Sequence, residues 1–240
     1  MPVPGIDHIT RVPGGALIAF EGVDGAGKTT QARLTAERLA ALGYEVLSLR
    51  EPSDGPVGRK LRALMSGAGE RPSPEEEFRL FLQDRQEDVE HNIRPALERG
   101  AVVLIDRYYI SSMAYQGARG LDPEMIREAN ERIAPRPHLT LLFELPLEES
   151  LARLRARSAG AAAVNPFELQ AYQRRVHELF TTHPAFDPSR FPGLVRIDAR
   201  RGITELQTEI LGRVLSVLGR SGEGTVPTEQ GRQSAERNFR

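Results

Sequence analysis

Residues 16–30 read ALIAFEGVDGAGKTT: an apolar run, a glycine-rich turn, then Lys28, Thr29 and Thr30 at the head of an amphipathic segment. Gly22 and Gly27 are separated by four residues and followed directly by Lys28 and Thr29. In that spacing successive backbone N–H groups wrap a polyphosphate and the lysine reaches its outer phosphates. The glycines let the backbone approach the oxygens closely, and a helix starting near Lys28 points its unpaired amides and positive dipole end at the same anion. The Thr29 hydroxyl is then placed to ligate Mg2+. The bare pattern can arise by chance, but the cradle also requires a strand before it and a helix after it, and Leu17 to Phe20 and the spacing of Ala32, Leu34, Ala36, Leu39 and Leu42 supply both. A ligand-free glycine turn is the alternative. Composition argues against it, because among 32 Lys and Arg residues only Lys28 and Lys60 are lysines. A lysine in a chain that otherwise uses arginine points to a required ammonium charge.

The same composition narrows what else the chain can be. Its 240 residues, 40% hydrophobic, suffice for one sizeable α/β core with appendages. A formal charge of −1 gives no reason to expect nucleic acid or an anionic membrane as the main partner. With no cysteine there is no disulfide framework, thiol catalysis or cysteine-held metal, and the five histidines show no ligand spacing. No apolar run approaches membrane-spanning length and no signal-peptide plan opens the chain, so a soluble cytoplasmic protein is expected.

Alternating patterns predict the order of elements. Residues 1–15 read as a mobile lead-in. Glu45 to Leu49 reads as a second strand, and Arg50, Glu51 and Pro52 leave it for a turn over Ser53 to Pro56. Ser73, Pro74 and Glu76 form a capping box that opens a helix with Phe78, Leu82 and Val89 as its apolar face, closed by Pro95 and Gly100. Phe81 and Arg85, four apart, share a rotated face that suits a flat heterocycle, although core packing plus a surface arginine explains them equally. Ala101 to Ile105 is a buried strand ending in Asp106 and Arg107. There an acid can hold Mg2+ and an arginine can clamp a phosphate; a structural ion pair is the alternative. The stretch from Tyr108 to Arg119, YYISSMAYQGAR, is dense in hydroxyl, amide and aromatic groups and suits a polar pocket.

Further on, Asp122 and Pro123 open a helix to about Ala134, and His138 to Leu145 gives a fourth strand. A helix from Leu147 carries Arg153, Arg155 and Arg157 into small residues over Ser158 to Val164, a pattern expected for a flap at about 150–168. Arg153 and Arg157 face the same way and could close over phosphates, or form a solvated face. Asn165 to Glu168 can cap the next helix, to about Phe180. Leu194 to Ile197 is a fifth strand, Ile203 to Leu218 a final helix, and residues 220–240 a polar tail expected to be disordered. The expectation is a single domain over 16–219, a parallel sheet covered by helices on both faces.

The phrases FEGVDGAGKTT, REP, FLQDR, DRYYISSMAYQGARG and LARLRAR resemble the thymidylate kinases, over nearly the whole core from Ala16 to about Phe180. The resemblance implies a P-loop NTPase fold, three layers α/β/α around a five-stranded parallel sheet. It also implies transfer of the γ-phosphoryl group of ATP to dTMP with Mg2+, and a homodimer. Carried over by position, Gly22, Val23, Asp24, Gly25, Ala26, Gly27, Lys28, Thr29 and Thr30 would hold ATP, and Thr29 and Asp106 the metal. Phe81 resembles the residue stacking on thymine, Arg85 the one bonding a thymine carbonyl, and Ser112 a base-reading group. Arg50 and Arg107 resemble the acceptor-phosphate clamps, Tyr115 and Gln116 the sugar and phosphate lining, and Asp24 the cradle carboxylate near the acceptor. Because the cradle contains no arginine, the resemblance leaves Arg153 or Arg157 as the catalytic one. Three positions depart from the family: Ser53 and Asp54 stand where many members have two glycines, and Asn165 where many have an acid. A kinase for another nucleoside monophosphate, or a non-catalytic nucleotide-binding regulator, would share the cradle.

Overall fold

The computed structural model describes residues 9–67, 69–157 and 166–219. Five parallel strands form one sheet in the order β2-β3-β1-β4-β5. They are β1 (Ala16–Gly22), β2 (Val46–Arg50), β3 (Val102–Asp106), β4 (Leu139–Glu144) and β5 (Leu194–Asp198). β1 sits at the centre and every one of its residues is buried, which is why it reads as a continuous apolar run rather than an alternation. Burying a side chain such as Leu17 or Phe20 contributes about 1.5–3 kcal/mol, and Phe20 stacks on Phe143 of β4.

Each crossover is helical. α1 (Lys28–Ala41) follows β1, and α2 (Pro56–Met65) and α3 (Pro74–Asp88) lie between β2 and β3. α3 continues through one π-helical turn, Val89–Ile93, into α4 (Arg94–Glu98). α5 (Tyr109–Gly117) and α6 (Pro123–Glu131) follow β3, α7 (Leu147–Arg157) and α8 (Pro166–Thr182) follow β4, and α9 (Ile203–Val217) packs against α1. No helix among the described residues is long and apolar enough to cross a membrane.

The expected capping box at Ser73 is formed in both directions with Glu76. Three local expectations differ. The turn over Ser53 to Pro56 leads straight into α2, for which Pro56 is the first helical residue, with its fixed φ suited to that place. Pro95 does not end the segment: its missing N–H falls at the start of α4, after the π turn, and the helical path runs on to Glu98. Thr10 bridges Tyr44 and Val12 N donates to Gly100 O at 2.8 Å, so the lead-in is tied to the body from residue 10 onward. The expectations for residues 1–8, the flap 158–165 and the tail 220–240 lie outside the described residues.

Parallel registry sets the functional edge. Asp106 of β3 is level with Phe20 of β1 on one side and Arg50 of β2 on the other. The carboxyl ends of the three strands therefore release their next residues at one height, where open α/β sheets bind ligands.

Candidate active site

β1 ends at Gly22, whose φ of 127 and close approach to β4 leave room for no side chain: an added Cβ would lie 2.3 Å from Phe143 O. The loop closes at Gly27, which caps α1 in the left-handed conformation, and no side chain caps the helix. First-turn amides of α1 thus face the loop, as an anion cradle requires. Lys28 is buried and its Nζ donates to Val23 O at 2.7 Å. Burial, and then the nearby Arg107 charge, push its pKa down to about 7, against the attraction of Asp24, Asp106 and Glu21.

The Thr29 hydroxyl donates to Asp106 Oδ2, while Asp106 Oδ1 is buried without a hydrogen-bond partner among the described residues. A hydroxyl beside a carboxylate with an unused oxygen suits a hard, oxygen-liganded cation such as Mg2+. No group of three or more His, Cys, Asp or Glu among the described residues could hold a metal unaided. Phosphate oxygens and water would complete such a site.

Arg107 has a φ of 70 and is the only non-glycine residue with positive φ among the described residues. Its N–H donates to Phe20 O at 2.9 Å, and the turn aims the guanidinium back over the cradle. Nη2 meets Asp24 Oδ1 at 2.5 Å and Tyr115 OH at 3.3 Å, Nη1 meets Ser111 Oγ at 3.2 Å, and the guanidinium carbon lies 4.8 Å from the Tyr115 ring centre. Gln173 of α8 donates to Asp24 Oδ2 at 3.2 Å. Burial alone would raise the Asp24 pKa, but Arg107 and then Lys28 outweigh it and hold the carboxyl below its usual value. Beneath this pair, buried Glu21 accepts from Tyr108 N at 2.9 Å and Ser111 N at 3.1 Å, and also from the Ser111 hydroxyl. It thereby fixes the start of α5.

Arg85 is not on a surface face. It is 1% exposed, with its guanidinium carbon 5.2 Å from the Tyr108 ring centre. Its Nε donates to Glu51 at 2.9 and 3.1 Å and its Nη2 to Ser112 Oγ at 3.0 Å, and Asn130 Oδ1 accepts from Nη1. The reason is a partner 34 residues away, Glu51, which no helical periodicity could reveal. Burial pushes the Glu51 carboxyl up to about 7 against the pull of Arg85. Phe81, one turn earlier on α3, is half-buried. Gln116 on α5 is buried with neither amide atom hydrogen-bonded among the described residues.

Arg50 stands apart. It is exposed and pairs with Asp54 at 2.8 Å, while Ser53 is held by Asp84 through N–H and hydroxyl at 2.7 and 2.5 Å. Arg50, Thr29 and Asp106 border a cavity of about 770 Å³ between α1 and the end of α3; none of Phe81, Arg85, Arg107, Ser112, Tyr115 or Gln116 lines it. The expected residues thus fall into two groups that meet at Asp106 and Arg107. Arg153 of α7 reaches the cradle, with Nη1 3.2 Å from Gly25 O and Nη2 3.3 Å from Ala199 O. Ser150, one turn before it, donates to Asp24 O at 2.7 Å. The side chains of Arg157 and Glu168 lie outside the described ones.

A phosphate cradle joined through Asp24 to an arginine after the third strand in sequence, with an aromatic and arginine cluster behind it, can be compared with known proteins. The family model described as thymidylate kinase matches residues 20–210. The probable thymidylate kinase of Archaeoglobus fulgidus is 45% identical over 202 residues, covering 84% of this chain and 96% of that protein. The thymidylate kinase of Xanthomonas euvesicatoria pv. vesicatoria is 42% identical over 224 residues, covering 93% and 94%. That of Desulfotalea psychrophila is 39% identical over 204 residues, covering 85% and 96%. This chain belongs to the thymidylate kinase family. The matched span runs from β1 into α9, so it takes in every described element that contributes to this thymidylate kinase site. Sequence reasoning did not assign site roles to Glu21, Glu51, Asn130 or Gln173. The adjacency of Glu51 to Arg50 was the one available signal; the other three are placed only by tertiary contacts.

Proposed function

We propose that this chain transfers the γ-phosphoryl group of ATP to dTMP, giving dTDP and ADP, as a magnesium-dependent cytoplasmic homodimer. One observation carries the reading: Arg107, from the end of β3, closes on Asp24 of the cradle at 2.5 Å, while Lys28 sits in the same loop with Nζ 2.7 Å from Val23 O. Two basic groups brought from different elements to one loop are what a reaction between two polyphosphates needs.

The attacking group is an oxygen of the dTMP phosphate, already anionic, so no general base is required. Its bond to the γ-phosphorus forms as the β–γ bridging bond breaks and ADP departs. Catalysis then rests on alignment and charge neutralisation. The cradle amides and Lys28 hold the donor, Arg107 holds the acceptor phosphate, and Arg153, already at Gly25 O, supplies positive charge to the transferring group. Thr29 and Asp106 would hold Mg2+, which when bound neutralises phosphate charge. Phe81 offers a ring face, and Arg85, Ser112, Tyr115 and Gln116 polar contacts, to the acceptor nucleoside. Arg50 would have to leave Asp54 to act as a second clamp.

A coupled assay of ADP release with dTMP, dUMP, dCMP, dGMP and AMP as acceptors tests this. The expected order places dTMP first, with negligible release when acceptor is omitted. Equal release without acceptor would make the chain an ATPase, and preference for a different base would change the substrate. Sedimentation velocity tests the homodimer.

A further inference from the structure

Arg85 brings five N–H donors to its buried position. Nε is shared between the two oxygens of Glu51, Nη2 serves Glu51 and Ser112, and one Nη1–H serves Asn130 Oδ1. The other Nη1–H has no partner among these contacts. Asn130, on α6, is 0% exposed, and its amide is oriented by a second bond: Nδ2 donates to Ile126 O at 2.7 Å, one turn back along the helix. With the amino side committed to Ile126, the oxygen has to face Arg85.

We infer that Asn130 is a positioning residue that sets acceptor-base selectivity, by consuming one Nη1–H of Arg85 and leaving the guanidinium a single fixed donor for the base. The inference rests on the proposed reaction, in which Arg85 contacts the acceptor base. A pyrimidine with a carbonyl at ring position 4 accepts from that donor. One with an exocyclic amine there sets donor against donor, and a site built for a hydrogen bond rejects the mismatched analogue strongly. Glu51 holds the Nε and Nη2 edge and Asn130 the Nη1 end, and the two together keep the guanidinium from rotating to relieve the mismatch. Freed from Asn130, Nη1 would gain a second loose donor and the ability to shift, and discrimination would fall.

The test uses the full chain with dTMP and dCMP as acceptors, measuring kcat and KM for wild type, Asn130→Leu, Asn130→Ser and Asn130→Asp. Leucine removes the acceptor oxygen while keeping the branching at Cγ, and serine is too short to reach Arg85. Both are expected to lower the ratio of kcat/KM for dTMP over dCMP by at least about tenfold, mainly through KM for dTMP, with KM for ATP within about twofold. Asn130→Asp, which keeps an oxygen for Nη1, is expected to hold the ratio within about threefold. Should the leucine variant fail to fold, the serine variant decides, with its melting temperature as the control. A merely structural role would lower melting temperature and leave the ratio where it was, and that result overturns the inference. A wild-type chain inactive on dTMP would remove the reaction itself, whereas an active wild type with unchanged selectivity in the variants removes only the role of Asn130.

Discussion

Asp24 and Arg107 are joined at 2.5 Å across the mouth of the cradle, although one comes from the loop after β1 and the other from the end of β3. A carboxylate inside a phosphate-binding loop repels phosphate, so its value lies in holding the arginine. Asp24→Asn is therefore expected to lower kcat/KM for dTMP at least about tenfold while changing KM for ATP less than about threefold. Steady-state kinetics with each substrate varied would decide it. Equal losses for both substrates would place Asp24 in donor binding instead.

Arg153 touches two backbone carbonyls, Gly25 O and Ala199 O, and one glutamate, Glu149, at 3.6 Å. Those contacts are weak enough to be exchanged for phosphate. Arg153→Ala should reduce kcat at least about 100-fold with KM for dTMP within about twofold, since the charge matters most as the phosphoryl group moves. Turnover at the wild-type rate would remove α7 from the chemistry.

Lys28 is held near neutrality by burial and by Arg107, with a pKa of about 7. Polyphosphate binding stabilises the ammonium form and raises that value. At pH 8 the free lysine is mostly neutral, so ATP binding should take up close to one proton; at pH 6 it is already charged and uptake by this group should vanish. Titration calorimetry in buffers of different ionisation enthalpy reads the difference directly. The same uptake in Lys28→Met would assign the proton elsewhere.

Thr29 and Asp106 share a hydrogen bond that a cation would replace. Thr29→Ala keeps the carboxylate and loses one oxygen ligand, so about tenfold more Mg2+ should be needed for half-maximal rate, with a smaller loss at saturation. EDTA should stop the wild type. An unaltered Mg2+ requirement in the variant would exclude Thr29 as a ligand.

Gly58, in the first turn of α2, lies against the Ser53 loop: an added Cβ would stand 2.0 Å from Ser53 O and 2.7 Å from Asp84 Oδ1. Helix propensity alone favours alanine there by about 1 kcal/mol. The clash is with backbone and should win, giving a net loss of about 2–4 kcal/mol in urea unfolding for Gly58→Ala. A more stable variant would mean that α2 can shift away from the loop without cost.

The cradle, the succession of strands along the chain and the end of β3 were legible because their chemistry is local: glycine spacing, an isolated lysine, apolar runs of strand length. α2 was hidden because Gly55 and Pro56 carry a turn signature that also serves as a helix start. The burial of Arg85 was hidden for a different reason. A charged residue off the apolar stripe reads as surface, and only Glu51, Ser112 and Asn130, from three other segments, make its burial possible. Gln173 joins Asp24 across 149 positions, a distance that no pattern search spans.

Because β3 is level with Phe20 on one flank and Arg50 on the other, the identity of the group at its last position depends on counting residues within the strand. Deleting a single residue from Val102–Asp106 would draw Arg107 into the place of Asp106. A cation would then stand where an oxygen donor is needed and the clamp would vanish from the mouth, with the hydrophobic faces also exchanged. Such a slip would convert the polarity of the whole edge at once. Length in this strand is thus under tighter constraint than the choice among Val, Leu and Ile that fills it.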